Sequence, residues 1–170
     1  MKILGIDPGL SGAMALVGDG HLAVEDMPTV GSNKNRVVDM LRMADIIKHW
    51  SPDHAVIEKV HAMPGQGVSS TFRFGQTLGR TEAVIALAEI PLTYVQPTKW
   101  KKFFRLGRDK EDSRRLAIEL YPHIADRLHR KKDEGRAEAL LIATHHLEKR
   151  TSHETSSQRD DRQAQLPFAD

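Results

Sequence analysis

The sequence predicts an α/β fold, a mixed five-stranded sheet flanked by helices. Three features carry that prediction. The chain opens with three short apolar runs separated by tight-turn chemistry. Two later apolar runs each follow a helical stretch. The remainder is amphipathic helix, and this order of strands and helices builds a sheet with helices packed on it. A length of 170 residues suits one domain with a core of ordinary size.

The first run, Ile3–Ile6, has the branched residues of a buried strand. Pro8 lacks an N–H and ends it, so Asp7 stands at a strand end on the rim of the sheet. Ala13–Val17 is the second strand. Gly18-Asp19-Gly20 is hairpin-turn chemistry. His21–Met27 alternates apolar and polar residues as a third strand, completing an antiparallel meander. Pro28–Asn35 reads as a polar loop. Val37, Val38, Leu41, Ala44, Ile46 and Ile47 fall at helical spacing and predict a helix over Asn35–Trp50. His54–Glu58 is a fourth strand, which also runs into an acidic residue.

Lys59–Ser70 carries Pro64, Gly65 and Gly67 and reads as a long loop. A helix follows over Ser69–Glu89, then a fifth strand at Leu92–Val95 and a short helix with a basic face at Pro97–Phe104. Gly107-Arg108-Asp109 breaks the chain before a helix at Lys110–Tyr121. The segment 123–134 is polar and basic. A last helix is expected over Gly135–Lys149 on Ala137, Leu140, Leu141 and Ala143. From Arg150 the composition turns polar and predicts disorder, dividing the chain into a domain over 1–149 and a tail over 150–170. There are no internal repeats.

Composition narrows the chemistry. Absence of cysteine excludes disulfides and thiolate metal sites, leaving carboxylate, imidazole or water for any metal. No run approaches the roughly 18 apolar residues of a membrane span, and no signal-peptide pattern precedes the first strand. A cytoplasmic location is the default. Net charge is only +2, but the basic residues clump at Lys99–Lys102 and Arg127–Lys132, as a phosphate-rich partner requires.

Asp7 and Glu58 end two strands that reach the same edge of the sheet if they run in parallel. Glu138 lies on the last helix at the edge of its apolar stripe, where an acid costs stability unless paired. Glu134 is one turn earlier and Asp133 sits at the helix start, where an N-cap role competes with a functional one. Converging carboxylates suit hard cations such as magnesium. Two such ions about 3.5–4 Å apart can clamp the attacking and leaving oxygens of a phosphodiester displacement.

The segments Ile6-Asp7-Pro8-Gly9-Leu10-Ser11-Gly12, Val56-Ile57-Glu58-Lys59-Val60 and Gly135-Arg136-Ala137-Glu138-Ala139-Leu140 resemble, in order and spacing, the RuvC-like Holliday-junction resolvases. The likeness is to the divergent branch found in bacteriophages and some bacteria, and it covers roughly 1–149. It implies a ribonuclease-H-like fold, a homodimer, and two magnesium ions per site for which manganese may substitute. It also implies paired nicks on opposing strands of four-way or branched DNA, leaving 5′-phosphate and 3′-hydroxyl ends. Asp7 would be the central metal ligand, with Glu58 and Glu138 beside it. The family's usual pair of aspartates three residues apart is missing, because position 135 is glycine. The fourth carboxylate would come from Glu134, favoured on helical spacing, or from Asp133. His129 is a weaker candidate.

For DNA contact, Lys99, Lys101, Lys102, Arg105, Arg108 and Lys110 would face phosphates, with Trp100, Phe103 and Phe104 on the packing side. The resemblance places Lys101 and Lys110 near the active site. It also sends the loop after Glu58 into the junction centre, where His61 and Met63 would meet bases. Phe72 and Phe74 read as packing residues. Gly75, Gly79 and Ala83 form a small-residue face, either for packing on the chain's own sheet or, as two-fold symmetry favours, for a homodimer. Gln163–Phe168 in the tail is similar to short peptides that dock on bacterial sliding clamps. The rival readings are a ribonuclease-H-like nuclease on RNA–DNA hybrids, a catalytically weak junction binder, and an actin-like ATP-binding protein. The last lacks a second glycine-rich phosphate motif.

Overall fold

The computed structural model of the chain describes residues 1–60, 65, 67–107 and 109–164, with the backbone alone at 110 and 153–164. Strands β1 (Ile3–Asp7), β2 (Ala13–Gly18) and β3 (His21–Asp26) form the expected antiparallel meander. Asp19 and Gly20 turn the second hairpin with φ of 49° and 74°, as a two-residue hairpin turn demands. β4 (Thr29–Val30) and β5 (Val37–Val38) then make a small separate antiparallel ribbon. Helix α1 (Met40–Trp50), β6 (His54–Glu58), α2 (Val68–Leu87), β7 (Leu92–Val95), α3 (Pro97–Phe103), α4 (Lys110–Leu120) and α5 (Glu134–Ala164) complete the chain.

The main sheet has the order β3-β2-β1-β6-β7, with β6 parallel to β1 and β7 parallel to β6. It is therefore mixed and five-stranded, and its centre is buried on both faces. Residues alternate across it. Ile3, Ala15, Val17 and Val56 pack with Leu140, Leu141 and Trp100 on the face that α5 covers. Leu4, Ile6, Met14 and Ile57 pack with Met43, Ile47, Val84 and Ile85 on the face of α1 and α2. Two covered faces explain why the central strands read as continuous apolar runs.

Gly5 fixes how closely α5 approaches. A Cβ there would stand 2.1 Å from the Ala139 carbonyl oxygen and 2.7 Å from the Ala143 nitrogen. The α5 backbone thus lies directly on β1, which sets where Glu138 falls relative to the end of that strand.

Two expectations need correction. The first helix does not begin at Asn35. Val37 and Val38 pair with Val30 and Thr29 as β5, and the helix starts only after Asp39, whose side chain accepts from the Arg42 N–H at 3.0 Å. Two adjacent β-branched residues followed by a capping aspartate favour this strand-then-helix solution. The last helix also does not stop at Lys149 but continues through 150–164. Polar composition alone does not end a helix. A helix nucleated on a packed segment can extend beyond it, because each added residue gains a hydrogen bond without a new nucleus. Gln163 and Ala164 lie on that extension, and the rest of the expected clamp-docking peptide lies outside the described residues. No helix among the described residues is long and apolar enough to cross a membrane.

Candidate metal centre

The parallel pairing of β1 and β6 brings Asp7 and Glu58 to neighbouring strand ends at one edge of the sheet. α5 crosses that edge with its first turns. Carboxylate oxygens of Asp7, Glu58 and Glu138 come within 4.8 Å of one another. Three acids from three elements, separated by up to 131 positions in the chain (138 − 7), share one pocket of space.

Each carboxylate is held by its surroundings. Trp100, fully buried, donates its indole N–H to Glu58 Oε1 at 2.9 Å. Lys101 Nζ pairs with Glu138 Oε1 at 2.9 Å, and the Glu138 side chain is only 12% exposed. The same ammonium lies 5.0 Å from the centre of the Trp100 ring. Burial pushes the Glu58 carboxyl above its ordinary pKa, and the Glu138 charge adds to this, while the Trp100 hydrogen bond and Lys101 oppose it. A half-buried cluster of acids that repel one another is a site that gains by taking up positive charge. All-oxygen, all-carboxylate donors fit a hard divalent cation.

The start of α5 is fixed independently. Arg136 forms a bidentate pair with Asp26 at the end of β3, at 2.7 and 2.8 Å, and donates to the Arg127 carbonyl at 3.0 Å. Position 135 then lies against the first motif. A Cβ there would be 3.0 Å from Gly12 Cα and from the Ser11 carbonyl oxygen, and 3.1 Å from Asp7 Oδ2. The α5 face over Asp7 therefore passes through 135 and 138, three residues apart. Glycine at 135 allows the close approach but brings no ligand.

Of the residues singled out from the sequence, Asp7, Glu58 and Glu138 converge, and Glu134 stands outside that group. Glu134 lies one turn before Glu138 on the same side of α5. Asp133 is engaged elsewhere. It is 1% exposed and accepts from the Arg130 backbone N–H at 3.0 Å and from its guanidinium at 2.8 Å. Burial works to raise its pKa, but the hydrogen bonds and charge of Arg130 outweigh that and hold the carboxyl below its ordinary value. His129 is bonded to the Asp126 carbonyl at 2.6 Å, within the turns that precede α5.

On α3, Lys99 and Lys102 are exposed and Lys101 turns inward to Glu138. His61, Met63 and Arg108 lie outside the described residues, as does the side chain of Lys110. Phe72 is not a packing residue, since it is 67% exposed on α2. Sequence reasoning gave Trp100 a purely packing role. Nothing in the sequence shows that its N–H reaches a carboxylate on a strand three elements earlier.

The curated protein named crossover junction endodeoxyribonuclease RuvC, from Nitratidesulfovibrio vulgaris strain Hildenborough, is 29% identical over 162 residues. The match covers 88% of this chain and 92% of that relative. Over most of its length the chain is therefore similar to a crossover junction endodeoxyribonuclease. The counterpart from N. vulgaris strain DP4 is 28% identical over the same length. No family model matches. Among solved structures, Thermus thermophilus RuvC in complex with a Holliday junction superposes with a TM-score of 0.64 at 17% identity, covering 86% of this chain and 92% of that one. The fowlpox virus resolvase bound to its junction gives a TM-score of 0.51 at 15% identity, covering 86% and 99%. These structural likenesses establish the RuvC-like fold, a ribonuclease-H-like mixed sheet with helices.

Proposed function

We propose that this RuvC-like chain is a metal-dependent endonuclease that resolves four-way and branched DNA by paired nicks. The observation that carries the reading is the convergence of Asp7, Glu58 and Glu138 from three separate elements at one sheet edge. The curated relatives it matches over most of its length are named as crossover junction endodeoxyribonucleases.

In this reading Asp7, Glu58 and Glu138 hold two magnesium ions, which manganese can replace, with Glu134 supplying further anionic character at the start of α5. The ions supply Lewis-acid stabilisation of charge developing on the phosphoryl oxygens. The protein's own groups set the stage. Trp100 fixes the Glu58 carboxylate, and Lys101 holds Glu138 in place and adds a positive charge beside the scissile phosphate. Lys99 and Lys102 on the exposed side of α3 contact neighbouring phosphates, with Lys110 next along the chain. His61 and Met63 meet bases at the junction centre.

The enzyme acts as a homodimer through α2. At Gly75 and Gly79 an added Cβ would meet nothing within 4 Å, so packing on the chain's own sheet does not require these glycines. Phe72 and Val68 on the same helix are 67% and 87% exposed. A two-fold contact would cover this face and relate two sites by the symmetry of a four-way junction. Residues 1–149 carry the activity, and Gln163–Phe168 is a docking peptide for a sliding clamp. The protein is cytoplasmic, of bacterial or phage origin.

The test is cleavage of a labelled immobile four-way junction, with and without magnesium, by the native chain and by Asp7→Asn. Paired nicks that need magnesium and vanish in the variant are expected. Tight junction binding without cutting by the native chain would overturn the enzymatic reading.

A further inference from the structure

A second cationic surface lies on the other face of the sheet. Lys34, Arg36, Arg73 and Arg80 line one narrow cleft of about 60 Å³, together with Leu10 and Gln76. They come from two places far apart in the chain. Lys34 and Arg36 belong to the segment linking β4 and β5, and Arg73 and Arg80 lie on α2 seven residues apart, on one face. Nothing in the hydrophobic pattern of the sequence joins them.

Three observations argue that this cleft is a binding site. Among the described residues no carboxylate ion-pairs with any of the four, whereas Arg114, Arg115, Arg127, Arg130 and Arg136 each pair with an acid. Gathering four uncompensated cations costs Coulomb repulsion, which a bound polyanion would offset. Second, Arg36 is pre-positioned. It donates from Nε to Thr29 Oγ1 at 2.9 Å and from Nη2 to the Leu10 carbonyl at 2.7 Å, leaving its other N–H groups for a ligand. Third, the cleft adjoins the candidate metal centre. Leu10 is three residues beyond Asp7, so the loop that follows this carboxylate is also the wall of the cleft.

The size of the cleft limits the ligand. Its volume of about 60 Å³ is well under the roughly 150 Å³ of a cavity that takes up a benzene ring. That admits the oxygens of a phosphate and not a nucleobase. The lysines of α3 lie on the α5 face of the sheet with Trp100, and the cleft lies on the α1/α2 face, so the carboxylate edge runs between two basic walls.

We propose that Lys34, Arg36, Arg73 and Arg80 form a phosphate cradle that grips the sugar–phosphate backbone of the DNA beside the scissile position, opposite the lysine face of α3. The inference rests on the nuclease reading above and adds a substrate-positioning site to it. The cradle reads phosphates and carries no base specificity.

The experiment compares binding of an immobile four-way junction by the native chain, Arg73→Gln/Arg80→Gln and the charge-conserving Arg73→Lys/Arg80→Lys, over a salt series with EDTA present. Each DNA phosphate that a variant no longer neutralises lowers the slope of log affinity against log salt by about 0.9, so the glutamine pair should fall short by about 1.8. The lysine pair should keep the native slope. A slope unchanged in the glutamine pair, or reduced equally in both pairs, overturns the cradle. Neither result touches the nuclease reading, which stands or falls on magnesium-dependent cutting by the native chain.

Discussion

The indole N–H of Trp100 donates to Glu58 Oε1 across 2.9 Å, from a ring with no solvent exposure. One residue of α3 thereby fills the core and aims a carboxylate at the end of β6. Trp100→Phe keeps most of the ring and removes the N–H. Losing a hydrogen bond that orients a metal ligand costs about 10–100-fold in affinity or activity. We expect a magnesium-dependent cleavage rate reduced by that order per folded molecule, with the folded fraction checked by urea titration. An unchanged rate would show that burial alone orients Glu58.

Lys101 and a divalent ion compete for the same Glu138 oxygen in this arrangement. Lys101→Met retains much of the stem and deletes the charge. The half-saturating magnesium concentration should fall, because the carboxylates are left more anionic. The rate at saturating magnesium should fall by about 10-fold or more, because a positive charge beside the phosphate is gone. A magnesium titration of junction cleavage separates the two effects. A rise in half-saturating magnesium would contradict the competition.

Asp133 is bound into the Arg130 cap that leads into α5. Asp133→Ala should lower unfolding stability by about 1–3 kcal/mol, as removal of a buried, hydrogen-bonded charge partner does. Cleavage by the molecules that remain folded should persist. Should folded Asp133→Ala lose cutting while its urea midpoint stays native, the residue is a ligand and the cap assignment is wrong.

His145 and His146 give the domain an acid-sensitive flank. Both His145 ring nitrogens and His146 Nε2 are buried with no hydrogen-bond partner among the described residues. Burial, reinforced by Lys149 for His145 and by His54 for His146, pushes both pKa values from 6.5 down to about 4. Between those values the unfolded chain binds more protons than the folded one, so stability rises with pH. Their contribution is complete above about pH 6.5 and is lost as pH falls toward 4. Urea midpoints at pH 7.5 and 5.5 should differ in favour of pH 7.5. His145→Phe, which keeps a ring against Phe103, should narrow that difference. Identical pH dependence in native chain and variant would exclude His145 as a source.

Much of this fold was legible in the residues. The Ile3–Ile6 run stopped by Pro8, the Asp-Gly turn at 19–20 and the apolar run into Glu58 each name a strand by local chemistry. All three recur in the structure at those places. Val37 and Val38 misled because two valines fit a helical stripe as well as a strand, and only their partners at Thr29 and Val30 decide between them.

For the site, the sequence by itself determined which acids stand at strand ends, since proline and turn chemistry mark where a strand stops. It also flagged Glu138 as an acid against an apolar stripe. The tertiary structure decided which acids meet. Parallel pairing of β1 with β6 sets Asp7 beside Glu58, and the seat of α5 on Gly5 brings position 135 against Asp7 and Glu138 into the same cluster. It also decided that Trp100 serves Glu58 and that Lys34 and Arg36 face Arg73 and Arg80. The physical reason is range. Capping, turn preference and hydrophobic period act over a few residues and are written locally. The distance between side chains on different elements depends on pairing register and helix seating, which the packing of the whole core fixes together.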